Sequence, residues 1–387
     1  MNNRMIKVFS IVAIIFLLTV SLASVALANQ AEEAQQGKSK AQQERAQNMA
    51  RAAEKNWFGQ FTMEDGTVDG RFVKFDYNET TGTISDYKVF TGETYVNVFD
   101  EVKINNFEPI KTSIQGAVFM MNGTHAKLMI HNNPRAIMQI VNPYDDTPLL
   151  VNYTVDENVD INEEIQPSAV KYSLTSDDLN GVINTPLNTT VEDDIITVNG
   201  EGWNETSHTM FMSKPSYTKE PKQHQNEFEE AVMNSKIGTE MEVVGKGEGH
   251  VSHEVRYRQN LQVQVQNMEE KKMRVRVQSE DPNGTCVMLR VEKQSLDIEE
   301  NKLQMRLDGE KMKETSFQKV LEGGEQAKYS IQEQENGMLE IAVNVPHFSE
   351  HEITVESASE TPGYTLPLLL TAVGVVGVIW AVRKKRN

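Results

Sequence analysis

The chain has 387 residues, a formal net charge of −18 and a single cysteine, Cys286. One cysteine cannot form an intrachain disulfide, which excludes the small disulfide-stapled modules of many secreted proteins. The acidic balance also excludes nucleic acid as a favoured partner, because binding to phosphate backbones gains from positive charge. The length is sufficient for the cores of two or three ordinary domains.

The first 28 residues have the pattern of a secretory signal peptide. Arg4 and Lys7 precede an apolar run over 8–25, and small residues lead to a predicted cleavage site after Ala28. An uncleaved first membrane helix is the alternative, since the run is nearly long enough to span a bilayer. Both interpretations predict that the residues after it lie outside the cell.

Residues 29–56 are rich in Ala, Gln, Glu, Lys and Arg, with almost no large apolar side chain. Helix propensity is high, but the segment has no apolar stripe to bury. We therefore predict a polar, solvated, partly helical leader.

Short apolar and aromatic runs separated by Gly, Asn and Asp begin at Trp57 and predict an antiparallel β domain over 57–165. Its clearest turn signal is Asn122-Gly123, at the centre of a predicted hairpin. The predicted strands are 71–77, 83–90, 117–121, 125–130, 135–141 and 149–155.

Residues 166–245 are less regular and predict a connecting region with a strand at Ile195–Val198 and a helix over 226–236. The glycine-rich run from Gly245 to Gly249 resembles a hinge. Alternating apolar and polar residues then predict a second β domain over 246–357, with about seven short strands. The alternating runs over 261–265 and 273–277 predict two facing antiparallel strands. The fold class is thus mainly β, with two antiparallel β-sandwich-like domains.

The string His347-Phe348-Ser349-Glu350-His351 matches the H-x-x-E-H pattern of inverted zinc peptidases. That chemistry needs a helix, because only there do two histidines four residues apart face one metal ion. Here the string lies between two alternating strands, so a metal site is not predicted. The histidines at 125, 131, 208, 224, 250 and 253 are interpreted as scattered surface residues, and no catalytic, cofactor or metal residue is assigned.

Asn-x-Thr sequons lie within the proposed ectodomain and mark candidate N-glycosylation sites. They begin at Asn78, Asn122, Asn152, Asn188, Asn204 and Asn283.

The last residues predict a membrane segment. Nineteen uncharged residues follow Gly363 and would span roughly 28 Å as a helix, and the basic cluster Arg383–Arg386 favours the cytoplasmic side. We predict a C-terminal anchor or sorting signal over 358–387. The ectodomain before it carries about −24.

The motif Pro362-Gly363-Tyr364, its apolar segment and its basic end resemble the archaeal PGF-CTERM sorting signals, which an archaeosortase replaces with a lipid anchor. Tyr364 stands where that family has Phe, so a retained helix is the alternative. The stretches 69–73 and 345–355 are similar to secreted β-rich proteins of methanogenic archaea, and the resemblance implies a closing strand pair of a sandwich.

These observations predict a non-enzymatic, N-glycosylated, membrane-anchored surface protein with an envelope-structural or adhesive role. Its expected partners are the membrane, an S-layer, envelope polysaccharide or like subunits. A surface metal-dependent hydrolase using His347, Glu350 and His351 is one alternative. A solute receptor is another, and it requires a pocket between the two β domains with convergent polar groups.

Overall fold

The computed structural model describes residues 38, 40–142, 150–166, 169–200, 208–214, 227–228, 230–232, 234–258, 260–279, 282–297, 303–334 and 336–357. The predicted signal peptide, the predicted C-terminal anchor and the sequon at Asn204 lie outside these residues. Within them, no helix is long and apolar enough to cross a membrane.

Twenty-seven strands dominate the described chain, and four α-helical segments and a 3-10 turn at Gly247–Gly249 accompany them. The first sixteen strands are β1 (Thr62–Glu64), β2 (Thr67–Asp69), β3 (Val73–Tyr77), β4 (Ile84–Phe90), β5 (Tyr95–Ile104), β6 (Pro109–Gln115), β7 (Val118–Gly123), β8 (Lys127–His131), β9 (Met138–Val141), β10 (Leu150–Val155), β11 (Asp160–Gln166), β12 (Ala169–Thr175), β13 (Asn180–Thr185), β14 (Asn188–Glu192), β15 (Ile195–Asn199) and β16 (His208–Ser213).

The remaining strands are β17 (Ile237–Val244), β18 (Val251–Arg256), β19 (Leu261–Glu269), β20 (Lys272–Ser279), β21 (Asn283–Glu292), β22 (Leu303–Leu307), β23 (Glu310–Lys311), β24 (Lys313–Glu314), β25 (Lys328–Glu333), β26 (Met338–His347) and β27 (Glu350–Ser357). Helix α1 covers 40–54, α2 includes 227–228 and 230–232, α3 is Lys293–Leu296 and α4 is Phe317–Leu321.

The strands form four sheets that pair into two sandwiches. Sheet A has the order β1-β2-β3-β4-β5-β10-β15-β14, and sheet B has the order β11-β12-β13-β16-β9-β8-β7-β6. Sheet C has the order β18-β17-β21-β26-β25-β24, and sheet D has the order β19-β20-β27-β22-β23. Sheets A and B enclose one apolar core, and sheets C and D enclose another.

Alternation of side chains explains both cores. In β3 the buried residues Val73, Phe75 and Tyr77 alternate with more exposed neighbours, so one face of the strand turns inward. In β19, Leu261 and Val263 do the same between exposed glutamines. The first core centres on interlocked rings, with Tyr87 and Phe99 each edge-on to Phe211 at 5.8 and 5.1 Å between ring centres.

A third apolar layer joins the two sandwiches. It lies between the outer faces of sheets B and C and includes Met210 from sheet B with Ile137 just before β9, Val255 and Met288 from sheet C, and Phe228 from α2. Strand β17 is consequently buried along its whole length. The four sheets therefore stack as A, B, C and D, and the central strands of sheets B and C, such as β9, β16 and β17, are buried on both faces.

Helix α1 is docked onto this stack, although the sequence predicted a solvated leader. Ala52 is fully buried in an apolar cluster with Phe58 and Val244. Asn48 donates a hydrogen bond to the Gly249 carbonyl at 2.8 Å, and Arg51 pairs with Glu292 at 2.8 Å. The helix was predicted correctly, but its docking uses only two apolar side chains, Ala52 and Met49, together with polar side chains, so no apolar stripe is visible in the sequence.

Both predicted hairpins of the first domain are confirmed, because β3 pairs with β4 and β7 pairs with β8, each antiparallel. The second turn is displaced, since Asn122 and Gly123 belong to β7 itself. The β19 and β20 pair of the second domain is also confirmed.

Residues 166–245 differ from the predicted irregular connection. Strands β12, β13 and β16 complete sheet B, and β17 joins sheet C beside the distant β21 in parallel. The predicted hinge from Gly245 to Gly249 is the loop between β17 and β18, which pair antiparallel within sheet C. The sequence concealed these strands because their partners lie far along the chain and their runs are broken by Asn, Asp and Thr.

Candidate functional site

A buried cluster of charges lies between sheets B and C. Glu240 on β17 accepts contacts from Arg290 at 2.8 Å, from Arg135 at 3.1 Å and from the Tyr257 hydroxyl at 2.9 Å. Arg290 also reaches Glu340 on β26 at 2.9 Å. Burial pushes the pKa of Glu240 upward, but the two guanidinium groups and the hydroxyl hold it below its ordinary value. Arg135 precedes β9, so this network ties one sandwich to the other.

Next to this cluster, three side chains form a hydrogen-bonded relay. The Glu242 Oε2 and His253 Nδ1 atoms are 3.1 Å apart, and His253 Nε2 lies 3.1 Å from His131 Nδ1. Both histidines are 2% exposed. His131 comes from sheet B and the other two residues from sheet C, so the relay also crosses between the sandwiches.

Burial, and then the neighbouring His253, hold the pKa of His131 well below its ordinary value. The His131 Nε2 atom is buried without a hydrogen-bond partner among the described residues. Burial raises the pKa of Glu242, although its bond to His253 opposes the rise. His131 is therefore neutral at neutral pH, and two buried groups with shifted pKa values lie side by side, which is common at functional sites.

A cleft of about 690 Å³ opens beside the relay. One wall is the outer face of β7 and β8 in sheet B, and the other is formed by the edge strands β18 and β19 of sheets C and D. Arg45 of α1 and His250 also line the cleft. Its apolar lining comes from both sandwiches and includes Val118, Met120, Met129, Met241, Val263 and Val265. Its polar lining includes Gln115, Lys127, His131, Ser252, His253, Glu254, Arg256 and Gln264.

The cleft continues along the second half of β19. A groove of about 530 Å³ follows Gln266 to Glu269 on one side and α1 on the other. Arg45 and His250 line both spaces. The docking of α1 therefore adds a groove that is continuous with the cleft.

The side chains of the H-x-x-E-H string are not brought together on a metal. His347 ends β26 in sheet C, and Glu350 begins β27 in sheet D, so the string is the corner between two sheets. His351 is hydrogen-bonded to Asp308 at 2.6 Å and to the His347 carbonyl at 2.9 Å. Glu350 is paired with Arg276 at 2.5 Å. Within the described chain, no group of three or more His, Cys, Asp or Glu side chains is placed to hold a metal ion.

The interpretation of all six other histidines as surface residues is wrong for two of them. His131 and His253 are 122 residues apart in sequence, yet they meet in the interior. The available signal was weak: each lies at an alternate position of an apolar strand, on the same face as Met129 and Val255 respectively. Nothing local showed that this face is covered.

The single thiol is not part of the site. Cys286 lies on β21 in the layer between sheets B and C, and burial raises the pKa of its thiol to about 12. A thiol with such a pKa is almost fully protonated at neutral pH and is a poor nucleophile.

Five of the six candidate glycosylation sites lie in the described chain. Asn78, Asn188 and Asn283 are exposed, whereas Asn122 and Asn152 are partly buried. The Asn78 side-chain oxygen accepts bonds from the backbone of Thr80 and Thr81, which is the geometry of an exposed turn.

Comparisons with known proteins add a family match to the second half. Residues 223–363, which contain all strands of the second sandwich, match the MAST domain and make up less than half of the chain. The comparison with curated proteins finds no match. Among solved structures, the chain is similar to a glycoside hydrolase family 81 enzyme from Clostridium thermocellum, with 6% identity and a TM-score of 0.29. The similarity covers 78% of this chain and 36% of that enzyme, and the score establishes no common fold.

Proposed function

We propose that this protein is a non-enzymatic binding protein of the cell surface whose recognition site is the cleft between its two sandwiches. The observation that carries the proposal is the cleft itself, with a volume of about 690 Å³ and walls from both domains. Small-molecule sites typically have volumes of about 300–1,000 Å³ and combine apolar walls with a few polar groups. The volume, the position between the two sandwiches and the polar groups that line the cleft support the receptor alternative.

The buried contacts between sheets B and C support a preformed site. Arg135 and Glu240 join the walls across the interface, and His131 and His253 do so directly beside the cleft. A cleft whose walls are fixed before binding loses less conformational entropy when a ligand enters. We expect its shape to change little on binding.

The location is proposed from the sequence. A signal peptide ending at Ala28, the sequons and the apolar C-terminal segment support export, N-glycosylation and anchoring at the membrane. The sorting motif at Pro362 to Tyr364 supports an archaeal envelope, with either a lipid anchor or a retained helix.

The binding role is tested with the full-length protein in non-ionic detergent. Melting temperatures are measured against a panel of neutral sugars, amino acids and short-chain carboxylates, because a ligand of the folded state raises the melting temperature. At least one class is expected to stabilise the unmodified protein and the remote control variant Thr190→Trp, but not Val118→Trp, in which an indole fills the cleft. The proposal is overturned if no class stabilises the protein, or if Val118→Trp responds equally.

An envelope-structural or adhesive role is a second proposal, and the sheet edges favour it. The exposed large apolar side chains among the described residues are Met63, Ile110 and Val191. They lie on β1, β6 and β14, each the terminal strand of sheet A or B. Terminal strands offer unpaired backbone groups to a neighbouring chain.

Light scattering of the Ile110→Lys variant tests this role. Self-association of the variant should be weaker than that of the unmodified protein. An unchanged mass distribution would contradict the proposal that this edge mediates self-association.

A further inference from the structure

We infer that the ligand of the cleft is a small organic carboxylate with an apolar body, and that Lys127 is the residue that binds its charged group. This inference rests on the proposed binding function and specifies the chemical class of the ligand.

Lys127 lies on β8 with Met129 and His131, at alternate positions that face the cleft. Its side chain is partly buried, and it makes no hydrogen bond or ion pair with any residue that the structure describes. Burial, and then the positive charge of Arg256, lower the pKa of Lys127, and the negative charge of Glu254 opposes this only in part. Leaving an ammonium group partly desolvated without a partner is unfavourable, and a bound anion would relieve that cost.

The carboxylate that lines the cleft is already engaged. One oxygen of Glu254 is 2.7 Å from Arg256, and the other accepts a hydrogen bond from the Val263 backbone at 2.9 Å. Glu254 therefore neutralises the charge of Arg256 and holds the backbone of β19, but it is not hydrogen-bonded to Lys127. The cleft retains an excess of positive charge inside a chain whose net charge is −18.

Two further residues of the cleft also favour a negatively charged ligand. Arg45 uses its Nε atom to bind the Glu248 carbonyl at 2.9 Å, and its terminal nitrogens are not paired with any described carboxylate. His131 contributes a buried Nε2 atom without a partner. Both residues line the same cleft as Lys127. The Arg45 guanidinium can hold the second oxygen of a carboxylate through a charge-assisted hydrogen bond, and His131 can donate to it in the tautomer that has its proton on Nε2.

The remaining lining defines the body of the ligand. Met120 and Met129 line one wall, and Val263 and Val265 line the other. Methionine side chains adapt to apolar groups of different shape. A branched or short aliphatic chain behind the carboxylate fits this lining better than a strongly hydrated sugar or inorganic phosphate.

The test uses isothermal titration of the full-length protein with three probes: 4-methylpentanoate, its neutral amide 4-methylpentanamide, and inorganic phosphate. The carboxylate is expected to bind at least tenfold more tightly than the amide, and phosphate is expected to bind weakly or not at all. Lys127→Met should weaken binding of the carboxylate by about tenfold or more, because a hydrogen bond between charged groups is lost. Lys127→Arg should restore most of the affinity.

Lys319→Met is the matched control, since Lys319 is exposed on α4, away from the cleft. Circular dichroism and the melting temperature establish that each variant is folded. The inference is overturned if the acid and the amide bind equally, or if Lys127→Met binds like the unmodified protein. If neutral solutes bind in a way that Val118→Trp abolishes, the binding function stands and only the carboxylate assignment falls.

Discussion

Glu240 is the residue on which the junction between the two sandwiches depends. It is 1% exposed and meets two guanidinium groups and a tyrosine hydroxyl. A buried carboxylate is tolerated only when such partners replace the water it has lost. Arg135 and Arg290 in turn lie over the Phe228 ring at 4.0 and 5.5 Å, so the cations also have an aromatic neighbour.

Glu240→Gln should therefore lower the free energy of unfolding by about 3–5 kcal/mol, because two buried cations lose their shared anion. Urea denaturation measures the loss. Glu333→Gln is the surface control: Glu333 pairs with Lys293, and its removal should cost about 0–1 kcal/mol. Should Glu240→Gln not fold, Tyr257→Phe removes only one hydrogen bond and should cost about 1–2 kcal/mol. Equal losses for Glu240→Gln and Glu333→Gln would contradict this account of the junction.

His131 makes stability depend on pH. Its pKa is lower in the folded protein than its ordinary value of 6.5, so the unfolded chain binds more protons as the pH falls below about 6.5. The free energy of unfolding should consequently decrease with acidification from about pH 6.5 downward, by up to about 1.4 kcal/mol per pH unit. His131→Gln should flatten this dependence.

Urea titrations between pH 7 and pH 5 measure the effect, with His125→Gln as a control at a histidine outside the relay. The raised pKa of Glu242 acts in the opposite direction, since it favours protonation in the folded state. All three proteins retain Glu242, so their difference reports on His131. Parallel pH profiles for His131→Gln and the unmodified protein would show that His131 titrates normally.

Among the elements, α1 and the loop between β17 and β18 are mutually dependent. Gly245 has a φ of +89°, and a Cβ atom there would lie 2.1 Å from the Asn48 amide nitrogen. Glycine is needed for both reasons, because other residues are strained at positive φ and would collide with α1. The loop thereby holds α1 beside the cleft, which Arg45 lines.

Gly245→Ala should release α1, because the added methyl group displaces Asn48. Amide hydrogen exchange over 40–54 should become markedly faster, and the melting temperature should fall. Gly309→Ala is the matched control, since its φ is +82° but no atom lies within 4 Å of an added Cβ. Gly309→Ala should destabilise the fold by a similar amount through its strained backbone, and it should leave amide hydrogen exchange in α1 unchanged. Unchanged exchange in Gly245→Ala would show that the contact does not hold the helix.

For the molecule as a whole, the stacking of four sheets fixes which surfaces face solvent. The central strands of sheets B and C are covered on both faces, so the exposed sequon asparagines lie at a turn, on an edge strand or at the end of a strand. Asn78 and Asn188 have free access, whereas Asn152 is partly buried and accepts a hydrogen bond from Thr197 at 3.2 Å. Accessibility should therefore decide which sites carry glycans.

Intact-mass analysis of protein extracted from its native membrane tests this expectation. The mass should correspond to a chain beginning at Asn29, with glycan removed by Asn78→Gln and unaffected by Asn152→Gln. The same spectrum distinguishes a chain ending near Pro362 from one ending at Asn387. A mass equal to the unmodified chain from residue 1 to 387 would remove both the export and the glycosylation proposals.

The sequence by itself determined the strand class and many of the pairings. Alternation over Leu261 to Val265 and Met273 to Val277 was sufficient to predict the β19 and β20 pair, because the period of two is a local property. The same reasoning placed His347 to His351 at a strand junction and excluded the helix that a zinc peptidase needs. Such predictions succeed because they depend on neighbours within about ten residues.

Only the tertiary structure decided what covers the second face of each strand. Glu240 and Glu242 alternate with Met241 and Val243, a pattern that the sequence cannot distinguish from a solvated charged face. The packing of sheet B onto sheet C turns that face into an interior and brings His131 to His253. The cleft arises from the same packing. Its walls come from strands more than a hundred residues apart, and no local periodicity encodes how two finished sandwiches meet.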